Sequence, residues 1–221
     1  ITRLGEGFAQ RGSIQPSAII RSMLVLEDFA RIIEAYQVEN VFAVATSIVR
    51  EAKNGEAFIA QIHKKTGIPV RTLSGSEEAR LTLKGVLSAV PQPTRNALVF
   101  DIGGGSTEFI LTEDTRPLKV ESTPLGVVFL SETLPISDPP RPQELARLST
   151  TIRKHLSLVD FHNLLPTVLP HGDPSPLSLI GTAGTVTTLA AIDQKMERYD
   201  PNTINNYRLS RETLVTIFQR L

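Results

Sequence analysis

Asp101-Ile102-Gly103-Gly104-Gly105-Ser106-Thr107-Glu108 is preceded by the apolar run Ala97-Leu98-Val99-Phe100 and followed by Phe109-Ile110-Leu111. Short apolar runs on both sides of a glycine cluster read as a strand, a turn and a returning strand. A carboxylate at the end of a buried strand, followed by residues without side chains, lets a polyanion approach the backbone while Asp101 faces a metal ion. The backbone N–H groups of Gly103, Gly104, Gly105 and Ser106, with the Ser106 hydroxyl, can cradle a phosphate. Asp101 and Glu108 stand at the inner ends of this hairpin, where they can bring two hard oxygen ligands to one divalent cation. The glycines alone would also serve an ordinary hairpin turn that uses positive φ, but such a turn does not require the carboxylate pair.

The rest of the composition narrows the field. A chain of 221 residues with 41% hydrophobic content can bury a substantial core, as one large domain or two small ones. No apolar stretch approaches the roughly 20 residues that span a bilayer. The start, Ile1-Thr2-Arg3-Leu4-Gly5-Glu6, lacks the charged-then-apolar order of a signal peptide, so neither membrane insertion nor secretion is expected. The absence of cysteine excludes disulfides and thiolate metal sites and is compatible with the cytoplasm, the expected location. Lys+Arg and Asp+Glu both total 23, so no global basic field exists to drive nucleic-acid binding. Histidines 63, 155, 162 and 171 show no paired metal-ligand spacing and receive no role.

Outward from the glycine turn, the pattern is α/β. Ile19, Ile20, Met23, Leu24, Phe29, Ile32, Ile33 and Tyr36 recur at helical spacing behind Pro16. Strands are expected at 41–45 and 68–73, with helices near 48–52, 56–65 and 77–90. Pro91-Gln92-Pro93 then breaks the chain, which suggests a domain boundary. Strands at 97–101, 107–112 and 118–123 and helices near 126–134 and 142–160 follow. After a loop punctuated by Pro166, Pro170, Pro174 and Pro176, a strand at 177–180 enters a second small-residue turn, Gly181-Thr182-Ala183-Gly184-Thr185, and a helix.

Three segments stand out together: Ala45-Thr46-Ser47-Ile48-Val49-Arg50-Glu51-Ala52-Lys53-Asn54, Ser74-Gly75-Ser76-Glu77-Glu78-Ala79-Arg80-Leu81, and the turn from Asp101 to Glu108. In combination they resemble the exopolyphosphatase and guanosine pentaphosphate phosphohydrolase family. Arg3 to Gly7, Pro124 to Glu132 and Gly181 to Ile192 are similar to that family as well, in the expected order along nearly the whole chain. The resemblance implies an actin-like fold, with ribonuclease-H-like lobes at 1–93 and 94–221 around a phosphate-binding cleft. It implies release of orthophosphate from inorganic polyphosphate or guanosine pentaphosphate, Mg²⁺ or another divalent cation at Asp101 and Glu108, and possible homodimers. Glu78 takes the place of the residue that activates water, Arg50 that of a phosphate contact. Gly181, Thr182, Gly184 and Thr185 line the phosphate side of the cleft in related folds.

These residue types suit the chemistry, because anhydride hydrolysis needs an in-line water and neutralised equatorial oxygens. Glu78 can accept a proton from that water or orient it. Arg50 offers a forked donor set, although an arginine in a first helical turn commonly pairs with a surface carboxylate. Ser74-x-x-Glu77 is a helix-capping pattern, so Glu77 is expected to be structural. A kinase of the same superfamily and a non-enzymatic polyphosphate or nucleotide sensor are the competing readings. A dinucleotide fold is disfavoured, since Glu108 stands where glycine or alanine is needed and the turn leads into a strand.

The match departs from the family in places. Members normally carry an earlier strand and phosphate loop ahead of the Arg-Leu-Gly-Glu-Gly segment, and continue beyond the last helix seen here, so truncation at both ends is expected. Ala183 replaces a usual glycine, and Phe129 a usual polar or basic residue.

Overall fold

The computed structural model describes residues 2–90, 96–160 and 177–220. In chain order these form α1 (Phe8–Arg11), α2 (Pro16–Ala35), β1 (Ala43–Ala45), α3 (Ser47–Glu51), α4 (Gly55–Thr66), β2 (Val70–Thr72), α5 (Gly75–Ala89), β3 (Ala97–Ile102), β4 (Thr107–Glu113) and β5 (Arg116–Thr123). Then come α6 (Val127–Thr133), α7 (Pro142–Leu156), β6 (Ser178–Thr182), α8 (Ala183–Asp193), α9 (Pro201–Ile204) and α10 (Arg211–Arg220). The α/β class expected from the sequence is the class found. Among the described residues no helix is long and apolar enough to cross a membrane. The junction expected after residue 93, the proline-rich loop and histidines 162 and 171 lie outside the described residues.

Contacts divide the chain into two compact units, Ile1–Glu78 with Val128–Leu145, and Ala79–Val127 with Ala146–Leu221. In the first, β1 and β2 pair in parallel, with Ala43 opposite Val70 and Ala45 opposite Thr72. Parallel neighbours need a crossover, and α3 and α4 supply it. Its core gathers Ile14, Ala18, Met23, Val49, Phe58, Ile62 and Ile68. Each large apolar side chain taken out of water contributes about 1.5–3 kcal/mol. Asn54 ties the chain ahead of α2 to the start of α4: its Nδ2 donates to the Ile14 carbonyl at 2.9 Å, and its Oδ1 accepts from the Ile14 N–H at 2.8 Å. Gly55 is there for space, since a Cβ would lie 1.9 Å from the Val49 carbonyl oxygen.

The second unit is built on a mixed sheet in the order β5-β4-β3-β6. β3 and β4 pair antiparallel, from Ala97 opposite Thr112 to Ile102 opposite Thr107. β6 lies parallel on the other side of β3, from Ala97–Ser178 to Asp101–Thr182. Ala97, Val99 and Ile110 are fully buried on one face, packed with Ala79 and Leu83 of α5. Leu111 packs with Leu98 and Leu177 in a separate cluster.

Several boundaries differ from the sequence expectation. β1 starts at Ala43 rather than residue 41, and Phe42 is 93% exposed, so the run Val41 to Ala45 is not a fully buried strand. β2 is confined to Val70–Thr72, directly after Pro69, whose ring suits a strand start. β5 begins two residues earlier than expected, at Arg116, with Pro117 inside it. That proline is tolerated because β5 is an edge strand and Pro117 sits beside a register shift between Leu111 and Thr112. At the same place Thr112, fully buried, uses its Oγ1 to accept from the Ala97 N–H at 2.8 Å and donate to the Ala97 carbonyl at 3.2 Å. The long helix expected over 142–160 ends at Leu156.

Helix α5 opens with a capping box. Ser74 Oγ accepts from the Glu77 N–H at 3.2 Å, and Glu77 Oε2 accepts from the Ser74 N–H at 2.9 Å. Arg71 Nη1 adds a donor to Glu77 Oε1 at 2.6 Å. The bond from the Ser74 backbone, with those from Arg71 and the Ser74 hydroxyl, holds the Glu77 carboxyl down from 4.5 to about 2. Glu77 is thus a structural residue, as its capping pattern suggested.

Three stability outcomes are expected. A folded-state pKa below the unfolded one stabilises the fold above the ordinary carboxylate range. Glu77→Gln should therefore lower the urea midpoint near neutral pH, with the gap closing as pH falls from 4.5 toward about 2. Gly126→Ala should destabilise by about 1–3 kcal/mol through overpacking, since a Cβ there would stand 2.2 Å from the Gly104 carbonyl oxygen. Ala183 adopts φ +69°, so Ala183→Gly should relieve left-handed strain and raise stability by about 0.5–1 kcal/mol in the same assay.

Candidate active site

Two sets of side chains meet the chemical criteria, one in each unit. In the first unit, Arg50 closes the short helix α3 that leaves the carboxyl end of β1, and Glu78 lies in the first turn of α5, which leaves the carboxyl end of β2. Ligand sites in parallel α/β sheets gather at these strand ends. The pairing of β1 with β2 brings the two residues together although 28 positions separate them: Arg50 Nη1 donates to Glu78 Oε2 at 3.0 Å. The same nitrogen donates to the Leu73 carbonyl at 2.8 Å, which anchors the guanidinium. Both side chains are partly buried, 31% exposed for Arg50 and 22% for Glu78. Arg50 thus has as its nearest carboxylate Glu78 itself, while Glu51 stands at 3.9 Å. Buried Val49 holds α3 in place beneath Arg50.

In the second unit the glycine turn is a closed loop. The Gly103 N–H donates to the Ser106 carbonyl at 2.9 Å, so that amide is committed to the turn instead of standing ready for a phosphate. The segment leading into α6 braces the turn from outside: Gly126 N–H donates to the Gly105 carbonyl at 3.3 Å and Val127 N–H to the Gly103 carbonyl at 3.0 Å. Gly126 can come this close because it has no Cβ. Gly103 itself is not in the left-handed region, so positive φ does not explain its choice.

Beside the turn, Asp101 and Glu108 are direct register partners. The pairings with β5 and β6 extend that line, giving a polar row of Ser122, Glu108, Asp101 and Thr182 across all four strands. The row continues the face whose inner part is the buried Ala97, Val99 and Ile110. Glu108 Oε1 accepts from Ser106 Oγ at 2.6 Å and from Ser122 Oγ at 3.0 Å. Among the described residues no group of three His, Cys, Asp or Glu could enclose a metal. Two facing carboxylates nevertheless suit Mg²⁺, which binds through one or two carboxylates and retains waters or substrate phosphates.

The second small-residue turn joins β6 to α8. Thr182, extended, ends β6 opposite Asp101, and Ala183 opens the helix. Gly181 has a steric reason of its own: a Cβ would lie 2.6 Å from the Phe100 ring and 2.8 Å from Val186 Cγ2. Gly184 is exposed, and its carbonyl accepts from Thr187 and Thr188; Thr185 is half-buried. Sequence reasoning missed Ser122 and the Leu73 carbonyl. The signal for Ser122 was its cross-strand position, which counting from the β4–β5 turn places one residue away. A cavity of about 560 Å³ in the first unit, bordered by Glu27, Ile33, Val41, Lys65 and Ile68, is lined by none of these site residues.

Comparison with known proteins matches this framework end to end. The profile of the Ppx/GppA phosphatase family covers residues 1–221. Exopolyphosphatase 2 of Mycobacterium tuberculosis is 34% identical over 100% of this chain and 68% of its own length. A phosphatase-bearing relative, the bifunctional 3-dehydroquinate synthase/phosphatase of Fusobacterium nucleatum, is 32% identical over 97% of this chain and 32% of its own. Among solved structures, the Aquifex aeolicus Ppx/GppA family member superposes with a TM-score of 0.76 at 31% identity, covering 100% of this chain and 67% of that one. An exopolyphosphatase from Cytophaga hutchinsonii gives 0.83 at 30% identity, over 98% of this chain and 68% of that one. The chain therefore spans about two thirds of the length of such relatives. With the profile matched over every residue and the fold shared at this similarity, the chain belongs to the Ppx/GppA phosphatase family.

Proposed function

We propose that this protein hydrolyses terminal phosphoanhydride bonds, releasing orthophosphate from inorganic polyphosphate. Guanosine pentaphosphate, which ends in the same anhydride, is the second substrate of this reading. The observation that carries it is the 3.0 Å pair of Arg50 and Glu78 at the carboxyl ends of adjacent parallel strands. The family and the exopolyphosphatase relatives support the reaction class.

The residues divide the work as follows. Glu78 accepts a proton from the attacking water or holds that water in line, and its oxygen is kept in place by Arg50. Arg50 is fixed by the Leu73 carbonyl, so its remaining N–H donors meet equatorial phosphate oxygens without reorganising first. The amides of Gly104, Gly105 and Ser106, with Thr182, Gly184 and Thr185 at the second turn, receive phosphate oxygens; Gly103 and Gly181 serve by shaping the backbone. Asp101 and Glu108 would hold Mg²⁺, which when bound supplies neutralisation of phosphate charge. Their direct opposition across the strand pair sets two hard oxygen donors side by side, which fits that task.

Phosphate release from polyphosphate by the purified protein tests the reading. Glu78→Gln should lower kcat by about 10²–10⁴-fold, the range of a lost general base, with circular dichroism unchanged. Arg50→Lys should also lose turnover, since an ammonium cannot reproduce the fork that binds Glu78, Leu73 and phosphate at once. Wild-type turnover in Glu78→Gln would reject the assignment.

A further inference from the structure

We infer that Ser122 is a positioning residue: with Ser106, its hydroxyl orients the Glu108 carboxylate so that it can serve a divalent cation jointly with Asp101. This rests on the proposed cation role of the Asp101–Glu108 pair.

The geometry is specific. Ser106 comes from the glycine turn, two residues before Glu108, and Ser122 from the neighbouring strand β5, 14 residues away, yet both hydroxyls converge on the same oxygen, Oε1. Bonds from two directions fix the carboxylate plane more firmly than either alone. Both hydroxyls donate to Oε1, so they set the direction in which the carboxylate faces. Hydroxyls are suitable partners at such a place because they are neutral. An arginine or lysine would bind Glu108 more strongly but would compete with the cation for its charge.

Ser122 reaches this position only because of the register shift in the β4–β5 pair. The turn between the strands pairs Glu113 with Arg116, and regular counting from there would set Glu121 opposite Glu108. The bulge moves the register by one residue, so Ser122 faces Glu108 and Glu121 faces Phe109. A third carboxylate in the row is thereby replaced by a hydroxyl donor. Ser122 is exposed, so its hydroxyl has no packing role to explain it.

Partners that orient a metal ligand typically change metal affinity by about 10–100-fold when removed. The test is titration of the purified protein with Mn²⁺ alone, read by electron paramagnetic resonance, for wild type, Ser122→Ala, Ser122→Thr and Glu108→Gln. Ser122→Ala should raise the Mn²⁺ Kd by about 10–100-fold, while Ser122→Thr, which restores a hydroxyl in a residue suited to strands, returns it to within about threefold. In phosphate-release assays the Mg²⁺ concentration for half-maximal rate should rise with Ser122→Ala, with kcat at saturating Mg²⁺ little changed. A shift below about fivefold in Ser122→Ala, beside a clear loss in Glu108→Gln, overturns the role of Ser122 and leaves the cation site standing. Undetectable Mn²⁺ binding by wild type, or equal affinity in Glu108→Gln, overturns the cation site and the role of Ser122 with it.

Discussion

The β3–β4 register, in which Asp101 stands opposite Glu108, is the constraint on which the second unit depends. Along one face of that pair the partners are Ala97 with Thr112, Val99 with Ile110 and Asp101 with Glu108, so an apolar interior runs directly into two facing acids. The apolar part is held by burial under α5. The acidic end works against pairing, because like charges in direct register repel. Serine hydroxyls on Glu108 offset part of that repulsion. Two carboxylates in direct register at the end of a buried apolar face depart from the otherwise consistent pattern of this sheet.

Backbone proximity is the second theme. Gly126 against the Gly104–Gly105 peptide, Gly181 beneath the Phe100 ring and Gly55 against Val49 are all places where a Cβ would collide. None of these needs positive φ. Glycine serves here to let one segment touch another, and the loops that carry the candidate residues are held by that contact. Ala183 is the converse case: a residue with a Cβ in a left-handed conformation at the start of α8. The sequence flagged it as a departure from the family's glycine, and the backbone supplies the reason for that glycine.

The Arg50–Glu78 pair shows how a parallel strand pair assembles chemistry from distant segments. Each residue belongs to the helix that follows its strand, and both helices start at the same end of the sheet. Ser74 and Glu77 settle where α5 begins, and that fixes where Glu78 points. A capping box and a salt bridge on consecutive glutamates thus divide the labour, Glu77 holding the helix start and Glu78 meeting Arg50.

By itself the sequence determined the α/β class, the hairpin of strands 97–101 and 107–112 around the glycine turn, the capping role of Glu77 and the family. These are local signals: apolar period, glycine and proline punctuation, and hydrogen bonds within a few residues. Only the tertiary structure decided that Arg50 meets Glu78, that the Gly103 amide is spent on its own turn, and that Ser122, not Glu121, faces Glu108. Those outcomes depend on which strands become neighbours and on a one-residue bulge in their register. Both are set by packing of the whole sheet, and a one-residue slip exchanges every side chain between faces, so counting along the chain cannot recover them.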